Sequence, residues 1–327
     1  MDTAFAPRSG QFVQHPAGHD GDLREAVEEF RQGRVWSVQG LLHRSWNDPG
    51  LWTSRTQVLG AVATRLNVLD RWAEEEPNAF GLTTLRCRVA VEAALLAGQR
   101  AGAPRELGQY VESAREWCRL AASMLAGDPV PWLGLLALAQ LDQELARPEH
   151  RVPAADRLLP PGPWALFEQV RRTDPWNREA FHRMLRFWLG RGEIGPASSF
   201  LSGHLRDAPA GSPLHALPLY LHVERYRRAE KGAEAAAYLQ WTNDESVRLA
   251  VQQVLAHWRA ARGAGVHWPV ADESHLAHAL SATRRHQDAA EVFAAMHPFV
   301  SHEPWVSLSA DPDRLLRDSV NKAFAAR

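Results

Sequence analysis

Apolar side chains return at every third or fourth position along nearly the whole chain, and no stretch alternates apolar and polar residues as a half-buried strand must. The sequence therefore predicts helix after helix. From Asp22, Leu23, Val27 and Phe30 share one helical face, and Gly33 follows as a stop. A second helix, Val35 to Trp46, places Trp36, Leu41 and Leu42 inward and ends at the turn Asn47-Asp48-Pro49-Gly50. Trp52, Leu59, Val62 and Leu66 carry the next stripe, and Leu82, Leu85, Val89, Ala93 and Leu96 another that closes at Gly98. Arg105 to Ala126 reads as a long amphipathic helix stopped by Gly127-Asp128-Pro129. Its partner, with Trp132, Leu133, Leu135, Leu136, Leu138 and Leu141, is apolar nearly all round and is expected to be buried.

Residues 147–163 interrupt this rhythm with Pro148, Pro153, Pro160, Pro161 and Pro163, which forbid continuous helix. The expected organisation is a disordered tail over 1–20, a helical-repeat half over 21–146, a proline-rich connection over 147–163 and a second helical-repeat half over 164–327. In the second half, helices are expected near 163–173, 177–190, 195–206, 213–229 and 232–240. Thr242-Asn243-Asp244-Glu245 then forms a capping box that opens a helix to Arg262. A hairpin of 272–284 and 287–296 and a last helix over 313–325 complete the chain.

An acid-proline pair followed by an aromatic recurs at Asp48-Pro49 with Trp52, Glu76-Pro77 with Phe80, Asp128-Pro129 with Trp132, Asp174-Pro175-Trp176 and Glu303-Pro304-Trp305. Each is expected to start a helix, because proline is tolerated in the first turn and the acid favours the positive helix end. Uneven repetition of hairpins that bury one face against the next predicts an all-α, right-handed α-solenoid with degenerate, tetratricopeptide-like repeats.

Composition narrows the function classes. Thirty-seven basic against 38 acidic side chains give a net charge of -1, which supplies no field for coating nucleic acid or acidic lipid. Two cysteines, Cys87 and Cys118, cannot build a disulfide framework or a four-thiolate zinc site, and a reducing compartment fits them best. No stretch has signal-peptide character or approaches twenty uncharged apolar residues, so the expected location is the cytoplasm, without membrane or nucleic-acid partners.

Two stretches resemble tetratricopeptide units: Pro175 to Leu201, and Leu276 to Met296. More broadly, residues 20–310 resemble a bacterial helical-repeat family, domain of unknown function 4034. The resemblance rests on Asp128-Pro129-Val130-Pro131-Trp132, Phe167 to His182, Gly211 to Leu219, and Leu276-Ala277-His278-Ala279-Leu280. It implies a fold and no established activity. The family usually carries Trp-His-Gly-Ser after the His182 helix, where this chain reads Trp188-Leu189-Gly190-Arg191.

Few motifs carry chemistry. Gly190-Arg191-Gly192-Glu193-Ile194-Gly195 has dinucleotide-loop spacing but follows a helical stripe, where a repeat needs its turn. Gly-x-Ser-x-Gly, Cys-x-x-Cys, His-Glu-x-x-His and a P-loop lysine are all missing. Glu179 and His182 stand at i, i+3, as in carboxylate-bridged metal bundles, and His275 and His278 with Asp272 nearby could add ligands from another helix. Among the thirteen tryptophans, Trp36, Trp117, Trp132, Trp188 and Trp258 fall on apolar stripes and are expected in the core; Trp176, Trp268 and Trp305 lie at loop-helix junctions open to a surface. Cys118, beside Trp117, is expected as a buried thiol. Tyr220, His222, Glu224, Arg225, Tyr226, Arg227 and Arg228 mix rings and guanidinium groups on one helix, a combination suited to carboxylate-bearing peptides.

The sequence reading is thus a non-catalytic scaffold without cofactor that binds a protein or peptide partner through residues such as Trp176, His182, Tyr220, His222, Glu224 and Arg225. The alternative is a metal-dependent or small-molecule-modifying helical enzyme built around Glu179, His182, His275 and His278.

Overall fold

A computed structural model describes residues 12–100, 104–228, 241 and 243–326. Among these the fold is all-helical; the only β pairings are isolated bridges, Val13 with Phe299 and Val152 with Gly162. No described helix is long and apolar enough to cross a membrane. The chain forms two compact units, Asp20–Phe200 and a second composed of residues 12–19 with Leu201 onward.

The unit Asp20–Phe200 contains α1 (Gly21–Arg31), α2 (Trp36–Ser45), α3 (Pro49–Ala63), α4 (Val68–Glu75), α5 (Leu82–Gln99), α6 (Pro104–Met124), α7 (Val130–Leu138), α8 (Trp164–Thr173), α9 (Arg178–Gly190) and the start of α10 (Ile194–Leu205). Helix α4 was not legible as a separate element; Val68, Leu69 and Trp72 bury its short face. Helix α7 is buried nearly all round, as its composition requires. Of the acid-proline motifs, Asp48 caps α3 by accepting from Leu51 N at 3.0 Å. Asp128 accepts from Val130 N at 2.9 Å and also from Trp52 Nε1 at 2.8 Å and Thr84 Oγ1 at 2.7 Å, so one carboxylate ties three helices together. Two motifs depart from the expected role. After Glu76-Pro77 the chain turns first and α5 begins only past Gly81, whose φ of 76° suits glycine. At Asp174-Pro175 the cap of α9 is Asn177, accepting from Ala180 N at 3.0 Å.

The proline-rich residues 147–163, expected to join two halves, lie inside this unit. Val152 and Gly162 exchange backbone hydrogen bonds of 2.9 Å, which folds the segment back as a loop and lets α7 and α8 pack directly. The compact units divide instead between Phe200 and Leu201. Cys87 and Cys118 are fully buried free thiols with their sulfurs 3.3 Å apart, and the shared hydrogen bond together with burial pushes the Cys87 thiol well up.

The second unit contains α11 (Leu217–Arg227), α12 (Glu245–Gly263), α13 (Val270–Ala282), α14 (His286–Met296), α15 (Trp305–Leu308) and α16 (Pro312–Ala325). The helix expected over 232–240 lies outside the described residues, as does Thr242 of the expected capping box; Asp244 caps α12 by accepting from Ser246 N at 2.8 Å. Helix α13 is central, with α11, α12, α14 and α16 packed around it. The tail is described from Phe12 onward. There it is held in place: Val13 N donates to Pro298 O at 2.7 Å, and Val300 N donates to Val13 O at 3.1 Å.

Three tryptophans correct the sequence expectation. Trp36 is 83% exposed, not inward. The buried face of α2 is Val38, Leu41, Leu42 and Ser45, and at about 100° per residue Trp36 lies roughly 140° from Leu41, off that stripe. Trp268 and Trp305, expected at an open surface, are buried. The Trp268 indole donates to Gly211 O at 2.8 Å, and Trp305 packs on Phe293 with ring centroids 6.3 Å apart.

Candidate functional site

The four residues of the enzyme alternative are shared between the units: Glu179 and His182 on α9, His275 and His278 on α13. Glu179 is buried and serves as an ion-pair partner. Arg88 Nη1 of α5 donates to its Oε1 at 2.7 Å and Arg183 Nη2 to the same oxygen at 3.1 Å. Burial pushes the Glu179 carboxyl up, but the two guanidinium groups outweigh it and hold it below the ordinary range. Among the described residues, no group of three or more His, Cys, Asp or Glu side chains is placed to hold a metal ion. His182 and Trp176 are half-buried; the Trp176 ring stacks on Phe181 with centroids 6.2 Å apart.

In the second unit the sequence candidates do converge. Tyr220 of α11 donates through its hydroxyl to Asp272 Oδ1 of α13 at 2.6 Å, and its ring stacks on His275 with centroids 3.7 Å apart. His275 in turn pairs through Nδ1 with Ala271 O at 2.7 Å. One turn on, the buried His278 stands edge-on to Trp241 at 5.1 Å and to Trp305 at 5.4 Å. Burial, with a smaller push from His275, lowers its pKa to about 3, so the imidazole is neutral, and its Nδ1 has no hydrogen-bond partner. His222 also faces inward; burial and then Arg225 lower its pKa to about 4.

Several polar residues of this core are held by hydrogen bonds to neighbouring segments. Ser274 Oγ accepts from Ser301 N at 3.0 Å. Glu273 Oε1 accepts from Trp258 Nε1 of α12 at 3.0 Å, while its Oε2 is unpartnered. Burial raises the Glu273 carboxyl to about 7, against the pull of Trp258 and Arg262. The mixed helix α11 separates into two faces. Tyr220 and His222 turn toward α13 and Trp241, whereas Arg225, Arg227 and Arg228 are exposed. Glu224 is buried and accepts from Arg227 at 2.8 Å and Arg228 at 2.6 Å; these outweigh burial and keep it ionised. The arrangement holds protons at Glu273 and withholds them from His278. The Tyr220 hydroxyl, donating to Asp272, links α11 to α13.

An open feature lies in the unit Asp20–Phe200. A cleft of about 430 Å³ is lined by Trp36, Gln39, Gly40 and His43 of α2 with Glu76, Ala79 and Phe80. His43 stacks on Phe80 with centroids 4.6 Å apart and planes 19° from parallel, and Gln39 donates to Glu76 across the cleft. The exposed indole of Trp36 therefore stands beside a preformed aromatic pair. Sequence reasoning named Phe80 only as the aromatic of an acid-proline motif and did not name His43; the available signal was the angular position of Trp36, off the buried stripe of its own helix. Compared with known proteins, the chain matches no family model, no curated protein and no solved structure.

Proposed function

We propose that this chain is a non-catalytic helical-repeat scaffold, a right-handed tetratricopeptide-like solenoid over Asp20–Phe200, that binds a peptide segment of a protein partner. Two features support the reading. Helices α1, α3, α5, α7 and α9 each pack on the next in that series, as the inner helices of stacked hairpins do. The observation that carries the binding reading is Trp36: a large indole, 83% exposed, beside the His43–Phe80 stack in an open cleft. Tryptophan is a preferred anchor at interfaces, and an indole that contributes little to its own fold is best accounted for by a partner that covers it.

The partner site is the cleft on α2 and not the inner face of the helix series. Helix α3 also touches α9, and the Arg88–Glu179 pair fills the space between them. The test is selection of peptides from a random displayed library against the full chain. Selected peptides should bind Trp36→Ala at least tenfold more weakly, with thermal stability unchanged because the side chain is exposed. If every selected peptide binds the variant as well as the parent, the reading falls.

A further inference from the structure

A second cleft, of about 500 Å³, opens in the same unit between α6 and residues 142–150. Its apolar part is formed by Leu107 and Val111 of α6 with Leu138 and Leu141. Its polar lining includes two side chains more than nine-tenths buried, Arg115 at 8% exposure and His150 at 1%. Both are fixed at one end and unpartnered at the other. Arg115 Nη2 donates to Glu149, while its Nε and Nη1 have no partner. His150 Nδ1 pairs with Asp142 Oδ2 at 2.8 Å, while its Nε2 has none. The wall is braced from behind: Asp142 also accepts from Ala146 N at 2.9 Å and Arg147 N at 3.0 Å.

The chemistry these groups ask for can be read from their protonation. Burial depresses the His150 pKa, so the ring is neutral; with Nδ1–H donating to Asp142, Nε2 is left as an acceptor. Arg115 offers only donors. The charged residues of the cleft lining are Arg115 and Arg147 with Glu112 and Asp142. A complementary ligand needs an aliphatic body, an acceptor for Arg115 and a donor for His150. A peptide group on a leucine-sized residue is the smallest unit that supplies all three.

We infer that this cleft is a subsite for an aliphatic residue of the bound peptide, whose carbonyl oxygen accepts from Arg115 and whose amide N–H donates to His150. The inference rests on the scaffold reading above but occupies a cleft separate from Trp36. The free nitrogens are shut off from solvent, so binding requires the Arg115 head and the His150 edge to turn toward the occupant.

The probe is N-acetyl-L-leucine N-methylamide, titrated into the ¹⁵N-labelled full chain while the Arg115 Nε–H resonance is followed. The expected result is a saturable shift with a dissociation constant of millimolar order. N-acetyl-N-methyl-L-leucine N-methylamide, which lacks the residue's own N–H for His150, should bind at least tenfold more weakly at pH 7.5. Arg115→Met should abolish binding; because Arg115 also holds Glu149, Val111→Trp serves as a second variant that fills the cleft and leaves its polar groups in place. Absence of a saturable shift, equal binding of the N-methylated probe, or full binding to Val111→Trp would each overturn the inference. None of these outcomes touches peptide selection at Trp36. Conversely, loss of Trp36 dependence with a saturable probe here would remove the scaffold test and leave the cleft.

Discussion

Arg88 and Glu179, 91 positions apart, meet at 2.7 Å with only 5% of either side chain exposed, and their contact joins α5 to α9. Arg88 also donates through Nη2 to Thr53 O of α3 at 2.9 Å, so one guanidinium holds three helices. Removing one partner of such a pair strands a charge in a dry interior. Glu179→Ala should destabilise the unit by about 3 to 5 kcal/mol, and Arg88→Met with Glu179→Leu together should recover much of that loss. Urea unfolding of the three variants checks this. A loss below 1 kcal/mol for Glu179→Ala would mean that water reaches the pair.

The closeness of α3 and α5 at this point depends on Gly60. A Cβ there would stand 2.4 Å from Arg88 Cβ, a contact neither backbone can relieve without moving. Gly60→Ala should therefore cost about 1 to 3 kcal/mol by overpacking, despite alanine's better helix propensity. Thermal unfolding beside Gly108→Ala, where nothing lies within 4 Å, separates the two effects.

Glu273 titrates near 7 in the folded protein against an ordinary 4.5. A carboxyl whose folded pKa is raised binds its proton more tightly when folded. Its contribution is complete below pH 4.5 and is lost as pH rises through 7, by roughly 3 kcal/mol in all. Glu273→Gln should remove this slope and stabilise the protein above pH 7, as chemical denaturation across pH 5–8 would report.

His278, lowered to about 3, and His215 and His222, each lowered to about 4, act with the opposite sign. They are neutral when folded, so the unfolded chain takes up their protons first. Stability should fall as pH drops below 6.5 toward 4, with three protons outweighing the single opposing one of Glu273. At pH 6.5 the unfolded chain still holds the excess of protons, so stability is expected to rise through that pH and to level off above about pH 7. His278→Met should reduce the acid slope by about one proton, which the pH dependence of the unfolding free energy measures directly.

Cys87 and Cys118 are fully buried, and the Cys87 thiol resists ionisation. A chromogenic disulfide reagent at pH 8 should label neither thiol at an appreciable rate in the native protein and both in denaturant. Fast native labelling would show that α7 lifts off the pair.

The helical class and most helix positions were legible from apolar spacing, because a stripe at 3.6-residue period can be buried only by a helix. The stops after Phe30, Trp46 and Leu125 were legible from glycine and proline for equally local reasons. The short helix α4 was not, since two turns of periodicity are hard to separate from a loop, whereas the start of α15 was marked by Glu303-Pro304-Trp305. The paired candidates Tyr220 and His275 were each visible as residues, but their stacking depends on α11 packing beside α13.

What the sequence by itself determined is therefore local: which segments are helical, where most of them end, and that Leu41 and Leu42 turn inward. Tertiary structure alone decided that Glu179 meets Arg88, that Trp305 is buried while Trp36 is left in solvent, and that Arg115 and His150 each keep an unpartnered nitrogen in the lining of one cleft. The physical reason is that backbone propensity and periodicity act over a few residues. Partnership between buried charges and rings is settled by which helix surfaces meet, and those surfaces can lie 91 or more positions apart along the chain.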